Sequence, residues 1–533
     1  MPTDGDSIPR LLARRRAGDG DVRALVDDDG AITYGELDDA SRVLAARLVA
    51  AGTRKGDRVG LLLPNGIVWA TTALAVMRVG AVLVPLSTLL RPPELLAQLD
   101  VAAVTHLVAA RHLRGRDYLG DIESVAPGTT ATTASGGRHP AVPSLRRVWA
   151  DDEIPTAAAP LSVVRSLEDR VRPADDMVVL FTSGSRGTPK GTIHTHGSGV
   201  RATAAGLDAR RVIRGDRLYI PMPFFWTGGF GGGLLTALVA GVTLLTEAVP
   251  DPTRTLSMLT RERVTLFRGW PDQAARLAAD PAFASADLSS LRDASLPAVL
   301  PPERRPTPGA RPNLFGMTES CGPWCGDRLD TDMPAHKHGS CGRPFPGVEV
   351  RIADPETGKP LPPDTDGEVW LRGPTLLRGI CGRERSTVFT ADGFYRTGDL
   401  GRLDADGYLW YVGRLDDMVK VRGATVYPSE VEAALRTVPG VTHAFVTDVP
   451  GANGGIHVGA LVLSDHDVAT VAAAARDRLS AFKVPTVWVV VDGLDAVPRS
   501  ATGKVDKPQL QRLLRTHGVA ARPLATDRER QAR

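Results

Sequence analysis

The chain has 533 residues, more than one hydrophobic core organises, so two or more domains are expected. A hydrophobic share of 43% and a charged share of 23% belong to an ordinary folded protein, which excludes a disordered or fibrous chain. The formal net charge of +3 gives no electrostatic case for nucleic acid or an anionic membrane as the main partner, and four cysteines make no disulfide framework.

Arg14, Arg15 and Arg16 form a short basic run that reads as a solvated helix face. Apolar residues at Leu37, Ala40, Leu44, Ala45 and Leu48 have helical spacing and predict a helix over 37–51. Residues 58–63 read as a strand stopped by Pro64-Asn65-Gly66; a helix over 67–79 and a strand over 81–85 follow. Alternation of this kind predicts β-α-β units and parallel sheets covered on both faces. Residues 129–160, rich in Ala, Thr, Pro and Gly, read as a surface connection. Residues 221–246 contain no charge and superficially resemble a membrane span, but Pro223 and the glycines break the run, leaving a helix and then a core strand near Val242-Thr243-Leu244-Leu245. After Val412 a small α+β unit is expected, with helices over 428–436 and 468–479 and strands near 444–448 and 487–491. The N-terminus has no charged-then-apolar leader pattern, so no membrane span and a cytoplasmic location are the expectation.

The most informative segment is the loop that follows the apolar run Met177-Val178-Val179-Leu180-Phe181. It reads Thr182-Ser183-Gly184-Ser185-Arg186-Gly187-Thr188-Pro189-Lys190-Gly191. Glycine-exposed N–H groups and hydroxyls suit polyphosphate oxygens, and Arg186 and Lys190 offset their charge. Lys190 follows Pro189 and precedes Gly191, so the Walker-type pattern fails; the glycines over 228–233 also miss the dinucleotide fingerprint. Further along stand Asn313-Leu314-Phe315-Gly316-Met317-Thr318-Glu319, Tyr395-Arg396-Thr397-Gly398-Asp399-Leu400, a run from Gly413 through Arg414 and Asp416 to Gly423, and a Lys504 loop over 498–504. Cys321, Cys325, His336, His338 and Cys341 lie close together in sequence, but their spacing matches no zinc pattern.

In that order these segments resemble the motifs of the acyl-adenylate-forming superfamily, which holds acyl-CoA synthetases, adenylation domains of peptide synthetases and luciferases. The likeness runs from about Thr33-Tyr34-Gly35-Glu36-Leu37 to Leu510. It implies an α/β fold with a large N-terminal domain of stacked, mainly parallel sheets with helices, over 1–413. A small mobile α+β lid over 414–533 would be hinged near Asp416. The implied reaction joins a carboxylic acid to a thiol through an acyl-AMP, with ATP and coenzyme A as co-substrates and Mg²⁺ as cofactor. On this chain Thr182, Ser183, Gly184, Ser185, Arg186, Gly187, Thr188 and Lys190 would hold the β- and γ-phosphates. Thr318 would contact the α-phosphate and Glu319 would bind Mg²⁺. Phe315, Asn313 and Gly316 would frame the adenine, Asp399 would accept the ribose hydroxyls and Arg414 would reinforce them. Lys504 would reach in from the lid as charge develops between the carboxylate and the α-phosphate. Asp416 resembles the pivot and Gly423 the glycine beside the thiol tunnel.

Phe224, Phe225, Trp226, Gly228 and Phe230 fall where the family builds its acyl pocket. Residues 221–233 contain no acid, so the ammonium of an α-amino acid would lack a partner, and an alkyl, alicyclic or aryl carboxylate is expected. Core packing competes for these aromatics, as a turn does for Asn313. Taken singly, Glu319 reads rather as a helix-start acid, Asp399 as a turn residue and Lys504 as a solvated lysine; their order along the chain reverses that in favour of the functional reading. The stretch Ser295-Leu296-Pro297-Ala298-Val299-Leu300 departs from the family's Gly-Gly-Ala turn at the adenine wall. A separate carrier protein in place of coenzyme A and a non-catalytic nucleotide-binding regulator stand as alternatives. The acid itself and the oligomeric state, a homodimer included, stay open.

Overall fold

The computed structural model describes residues 6–182, 189–415, 419–421, 424–426, 428–450, 456–479, 483–499 and 504–520. Contacts group the chain into two units. The first holds Met1–Val350, Leu371–Tyr395 and Gly407–Leu409; the second holds Arg351–Trp370, Arg396–Asp406 and Trp410–Arg533. The expected hinge residue Asp416 lies outside the described residues.

Two sheets organise the first unit. The larger has seven strands in the order Gly379–Ile380, Lys190–Thr195, Asp176–Thr182, Val82–Pro85, Arg58–Leu62, His106–Ala109 and Arg147–Ala150. Its last five strands run parallel, and Lys190–Thr195 pairs antiparallel with both of its neighbours. The smaller sheet has the order Leu266–Phe267, Arg217–Tyr219, Thr243–Leu245, Arg23–Val26, Ala31–Thr33, parallel except at its last pair. Burial on both faces explains why Val59, Leu61 and Leu62, or Leu83 and Val84, carry no polar alternation. Each such side chain contributes about 1.5–3 kcal/mol of transfer free energy.

The helix expected over 37–51 runs Tyr34–Ala50, three residues earlier. Its start is a capping box: the Glu36 N–H donates to Thr33 Oγ1 at 3.2 Å, and the Thr33 N–H donates to Glu36 Oε2 at 2.8 Å. The helix Ile67–Arg78 and the strands Arg58–Leu62 and Val82–Pro85 fall within a residue of expectation. Residues 129–160 do more than connect. They form a helix Thr129–Ala134 and the edge strand Arg147–Ala150, because the short β-run Arg147-Val148-Trp149-Ala150 pairs parallel with His106–Ala109. The uncharged stretch 221–246 breaks into Thr227–Gly229, a π-helical turn Phe230–Leu235, the helix Thr236–Ala240 and the strand Thr243–Leu245. Among the described residues no helix is long and apolar enough to cross a membrane.

The second unit contains most of a four-stranded sheet formed by Glu349–Ala353, Gly367–Arg372, Tyr395–Leu403 and Leu409–Arg414. Beyond it lies the expected α+β arrangement. Val441–Pro450 pairs antiparallel with Ile456–Ser464, which runs parallel to Val487–Val491. Helices Pro428–Arg436 and Val468–Arg476 bury Val431, Leu435, Val471 and Ala475 against a core that contains Trp488.

Three buried histidines of the first unit, His106, His194 and His196, link its stability to pH. His106 stacks on Trp149 with ring centroids 5.7 Å apart, and His196 Nδ1 accepts the Ile8 N–H at 3.3 Å. Burial pushes each imidazole down to about 4 from 6.5. The unfolded chain therefore binds protons that the folded chain refuses between those values, so stability is full above about pH 6.5 and falls toward pH 4. Urea midpoints taken from pH 8 to pH 4 are expected to stay level and then drop through that window. The drop should be shallower in His106→Gln, and a midpoint independent of pH would contradict this.

Candidate active site

The strand Lys190–Thr195 begins at the expected phosphate-loop lysine. Strand periodicity sends Lys190, Thr192 and His194 to one face. Opposite them the antiparallel strands Phe315–Met317 and Gly322–Gly326 are joined by a tight 3₁₀ turn, Thr318–Ser320. The turn closes through Cys321, which sits in the left-handed region at φ 57°. Ser320 Oγ stabilises it, accepting the Met317 N–H at 3.2 Å and donating to Gly322 O at 2.7 Å.

This turn carries Glu319 into a nearly dry position, 5% exposed. The Lys190 ammonium bonds Glu319 Oε1 directly and donates to the Tyr395 hydroxyl at 2.8 Å, and that hydroxyl donates to the same Oε1 at 3.1 Å. Burial pushes the Glu319 carboxyl up. The Lys190 charge and the hydrogen bonds outweigh it and hold the group below the ordinary carboxylate range. Glu319 thus stays ionised where an isolated carboxylate would take up a proton. Its other oxygen receives no side-chain donor among the described residues. Thr318 stands beside it, its Oγ1 3.4 Å from Thr227 Oγ1, and its carbonyl accepts from His194 Nε2 at 2.7 Å.

Phe315 is half-buried and meets Trp324 edge to face at 5.6 Å. Gly316 has a steric reason to be glycine: a Cβ there would lie 2.5 Å from Gly322 O on the partner strand. Asn313 is exposed, and its N–H donates to Ser340 O at 3.3 Å. The aromatic segment divides. Phe224 and Phe230 are fully buried, edge-on to Trp69 at 5.2 and 6.2 Å, and so sit in the core. Phe225 is buried, and Trp226 and Gly228 keep partial exposure. Trp226 packs against Phe225 at 5.2 Å and against Trp270 at 5.7 Å, and Trp270 is 42% exposed.

In the second unit Gly398, at φ 72°, turns the chain into Asp399. Asp399 is buried, its N–H donates to Thr397 Oγ1 at 2.9 Å, and its Oδ1 accepts from Arg414 Nη1 at 2.9 Å. Arg414 also donates to Thr397 O at 3.0 Å, so one guanidinium spans the segment. Lys504 is exposed in this unit. The Thr182 side chain and residues Ser183, Gly184, Ser185, Arg186, Gly187, Thr188, Asp416 and Gly423 lie outside the described positions.

The model for AMP-binding enzymes matches residues 12–381, and the model for the AMP-binding enzyme C-terminal domain matches 430–504. The chain belongs to the AMP-binding enzyme family. Among similar members, a 3-[(3aS,4S,7aS)-7a-methyl-1,5-dioxo-octahydro-1H-inden-4-yl]propanoyl:CoA ligase of Mycobacterium tuberculosis is 34% identical over 96% of this chain and 100% of its own length. A feruloyl-CoA synthase of Amycolatopsis is 34% identical over 90% of this chain and 94% of its own. Among solved structures, ATP-bound MatB from Rhodopseudomonas palustris superposes with a TM-score of 0.77 at 26% identity, covering 96% of this chain and 99% of that one. An anthranilate CoA ligase in complex with anthranoyl-AMP gives 0.77 at 25% identity, covering 96% and 98%.

For this AMP-binding enzyme, the motifs of the first unit meet at Lys190, Thr318 and Glu319. Two further residues join them that the sequence reading did not assign. Tyr395 opens the Tyr395–Asp399 motif, so its presence was visible, but its role as a donor to Glu319 arises from a contact across 76 residues. His194 lies four residues past Lys190, and only strand periodicity would have pointed to it. Tyr395→Phe strips one donor from a buried carboxylate and is expected to cost about 1–3 kcal/mol in urea unfolding at neutral pH. Lys190→Met should cost more, because it removes the charge that offsets the burial of Glu319. The reverse order would mean that the ammonium contributes little.

Proposed function

We propose that this chain is an ATP-dependent acid–thiol ligase. It activates a carboxylic acid with a ring-bearing apolar body to an acyl-AMP, releases pyrophosphate and transfers the acyl group to the thiol of coenzyme A. The observation that carries this reading is the ionised, nearly buried Glu319 held beside Thr318 by Lys190 and Tyr395. Membership of a family whose similar members include a feruloyl-CoA synthase and an indoleacetate–CoA ligase supports it.

In the first half-reaction a carboxylate oxygen attacks the α-phosphorus, and the bond to the bridging oxygen of pyrophosphate breaks. Positioning and charge stabilisation do most of the work in such displacements. Lys190, at the end of the loop 182–190, has the charge and reach to pass from Glu319 to the β- and γ-phosphates when nucleotide arrives. Thr318 hydrogen-bonds the α-phosphate. Phe315, Gly316 and Asn313 border the adenine, and Asp399, oriented by Arg414, takes the ribose hydroxyls. Lys504 stabilises the charge that develops between the carboxylate and the α-phosphate. In the second half-reaction the lid, 414–533, turns about Asp416, and the thiol arm passes Gly423, where the absence of a Cβ leaves room.

Glu319 suits Mg²⁺. Its Oε1 is taken by Lys190 and Tyr395, and its other oxygen, which receives no side-chain donor among the described residues, would hold the cation. When bound, Mg²⁺ supplies charge neutralisation to the triphosphate.

Trp226 of the segment assigned to the acyl group and Trp270 outside it form a partly exposed aromatic pair, which favours a ring over a plain alkyl chain. Phe225 and Gly228 complete that wall, and Phe224 and Phe230 back it from the core. The similarity to ligases of inden-4-yl-propanoyl, feruloyl and 3-hydroxybenzoate substrates supports the same class.

Purified protein with Mg-ATP and coenzyme A is expected to form AMP and acyl-CoA together with a ring-bearing acid, and poorly with unbranched alkyl acids. Lys504→Ala should lower the adenylation rate by roughly 10²–10³. Adenylate without acyl-CoA would shift the acceptor to a carrier protein. ATP binding with no pyrophosphate release for any acid would support the nucleotide-binding regulator instead.

A further inference from the structure

His194 is one of the buried polar residues that the proposed chemistry does not use, and it alone among the buried histidines bonds the Thr318–Ser320 turn. It is fully buried on the face of its strand that also sends Lys190 to Glu319. Its Nε2 lies 2.7 Å from Thr318 O. A carbonyl oxygen only accepts, so Nε2 carries the proton and Nδ1 is left as a bare lone pair. That Nδ1 is buried and finds no partner among the described residues. An unsatisfied buried acceptor costs about 1–3 kcal/mol, which an apolar residue at this position would not incur. Core filling therefore does not account for a histidine here, and the bond it makes does.

Thr318 O accepts twice, from His194 Nε2 and from the Cys321 N–H at 3.0 Å that closes the turn. The next carbonyl, Glu319 O, accepts the Leu377 N–H at 2.8 Å. The peptide planes on both sides of the Glu319 Cα are thus held from outside the turn, one by a backbone amide and the other by the His194 side chain. Those planes set where the Thr318 hydroxyl and the Glu319 carboxylate point.

We propose that His194 is a positioning residue for adenylate formation: its Nε2–H holds the Thr318 carbonyl so that Thr318 and Glu319 face the nucleotide and its metal together. This rests on the roles proposed above for those two residues. It places the determinant of metal and α-phosphate alignment on the same strand face as the phosphate-loop lysine, one hydrogen bond behind the reacting groups.

Three variants separate positioning from packing. His194→Gln puts an amide N–H at the reach of Nε2, His194→Asn falls short of it, and His194→Leu fills the space without a donor. The readouts are the kcat and KM for Mg-ATP in acid-dependent ATP–pyrophosphate exchange, the Mg²⁺ dependence of ATP binding by calorimetry, and urea midpoints. His194→Leu and His194→Asn are expected to lose about 10–100-fold in kcat or in Mg²⁺ coupling, as losses of residues that orient a metal ligand do. His194→Gln should recover most of that loss, and the midpoint of His194→Leu should not fall below that of the wild type. A folded His194→Leu with unchanged kcat and Mg²⁺ coupling overturns the proposal, as do equal losses in all three variants that track their stability. Should the wild type bind Mg-ATP yet exchange no pyrophosphate with any acid, the ligase reading fails by itself, and the Mg²⁺ dependence of ATP binding in the three variants still decides the role of His194.

Discussion

A carboxylate removed from water must be compensated, and the candidate site of the first unit is arranged around one such group. Glu319 is held as an anion by an ammonium and a phenol that reach the same oxygen, with a backbone hydrogen bond beside them. That requirement brings together three distant pieces of chain: the start of the strand at Lys190, the turn after Phe315–Met317, and Tyr395 at the head of its own strand. None of the three makes a site alone. Their meeting creates a buried cluster of fixed charge, which is what a reaction that rearranges phosphate charge needs.

Close backbone approach makes that meeting sterically feasible. Glycines stand where side chains would collide: a Cβ at Gly229 would lie 2.1 Å from Pro223 O, and one at Gly231 would lie 3.0 Å from Cys321 O. The π-helical turn Phe230–Leu235 can therefore lie against the segment that carries Thr318. Thr236 Oγ1 donates to Gly231 O at 2.8 Å and satisfies a carbonyl within that irregular turn. Trp69 anchors the same segment from the core through Phe224 and Phe230, which leaves Trp226 and Trp270 at its exposed edge. Packing has thus divided one aromatic run into a core part and the partly exposed Trp226.

Much of this was legible from residue order. Parallel sheets followed from the alternation of helix-type and strand-type segments, and Lys190, Glu319 and Asp399 stand out by their motifs alone. The misses have physical causes. The capping box at Thr33 and Glu36 started a helix three residues before its apolar spacing did, because a cap is a local polar signal that periodicity ignores. The strand Arg147–Ala150 was hidden in a Pro- and Gly-rich neighbourhood, and it forms because the neighbouring strand His106–Ala109 offers a free edge to pair with. Phe224 and Phe230 were indistinguishable from Trp226 by type, and only their contact with Trp69 assigns them to the core.

By itself the sequence determined the class of chemistry, since glycines, hydroxyls, two carboxylates and two lysines in a set order are sufficient to specify a nucleotide-handling family. It also determined that the acyl segment carries no acid. Tertiary structure decided the charge state of Glu319, the tautomer of His194 and which aromatics stay exposed. The reason is common to all three. Protonation, tautomer and exposure depend on the atoms within a few ångströms, and here those atoms come from residues tens to hundreds of positions away.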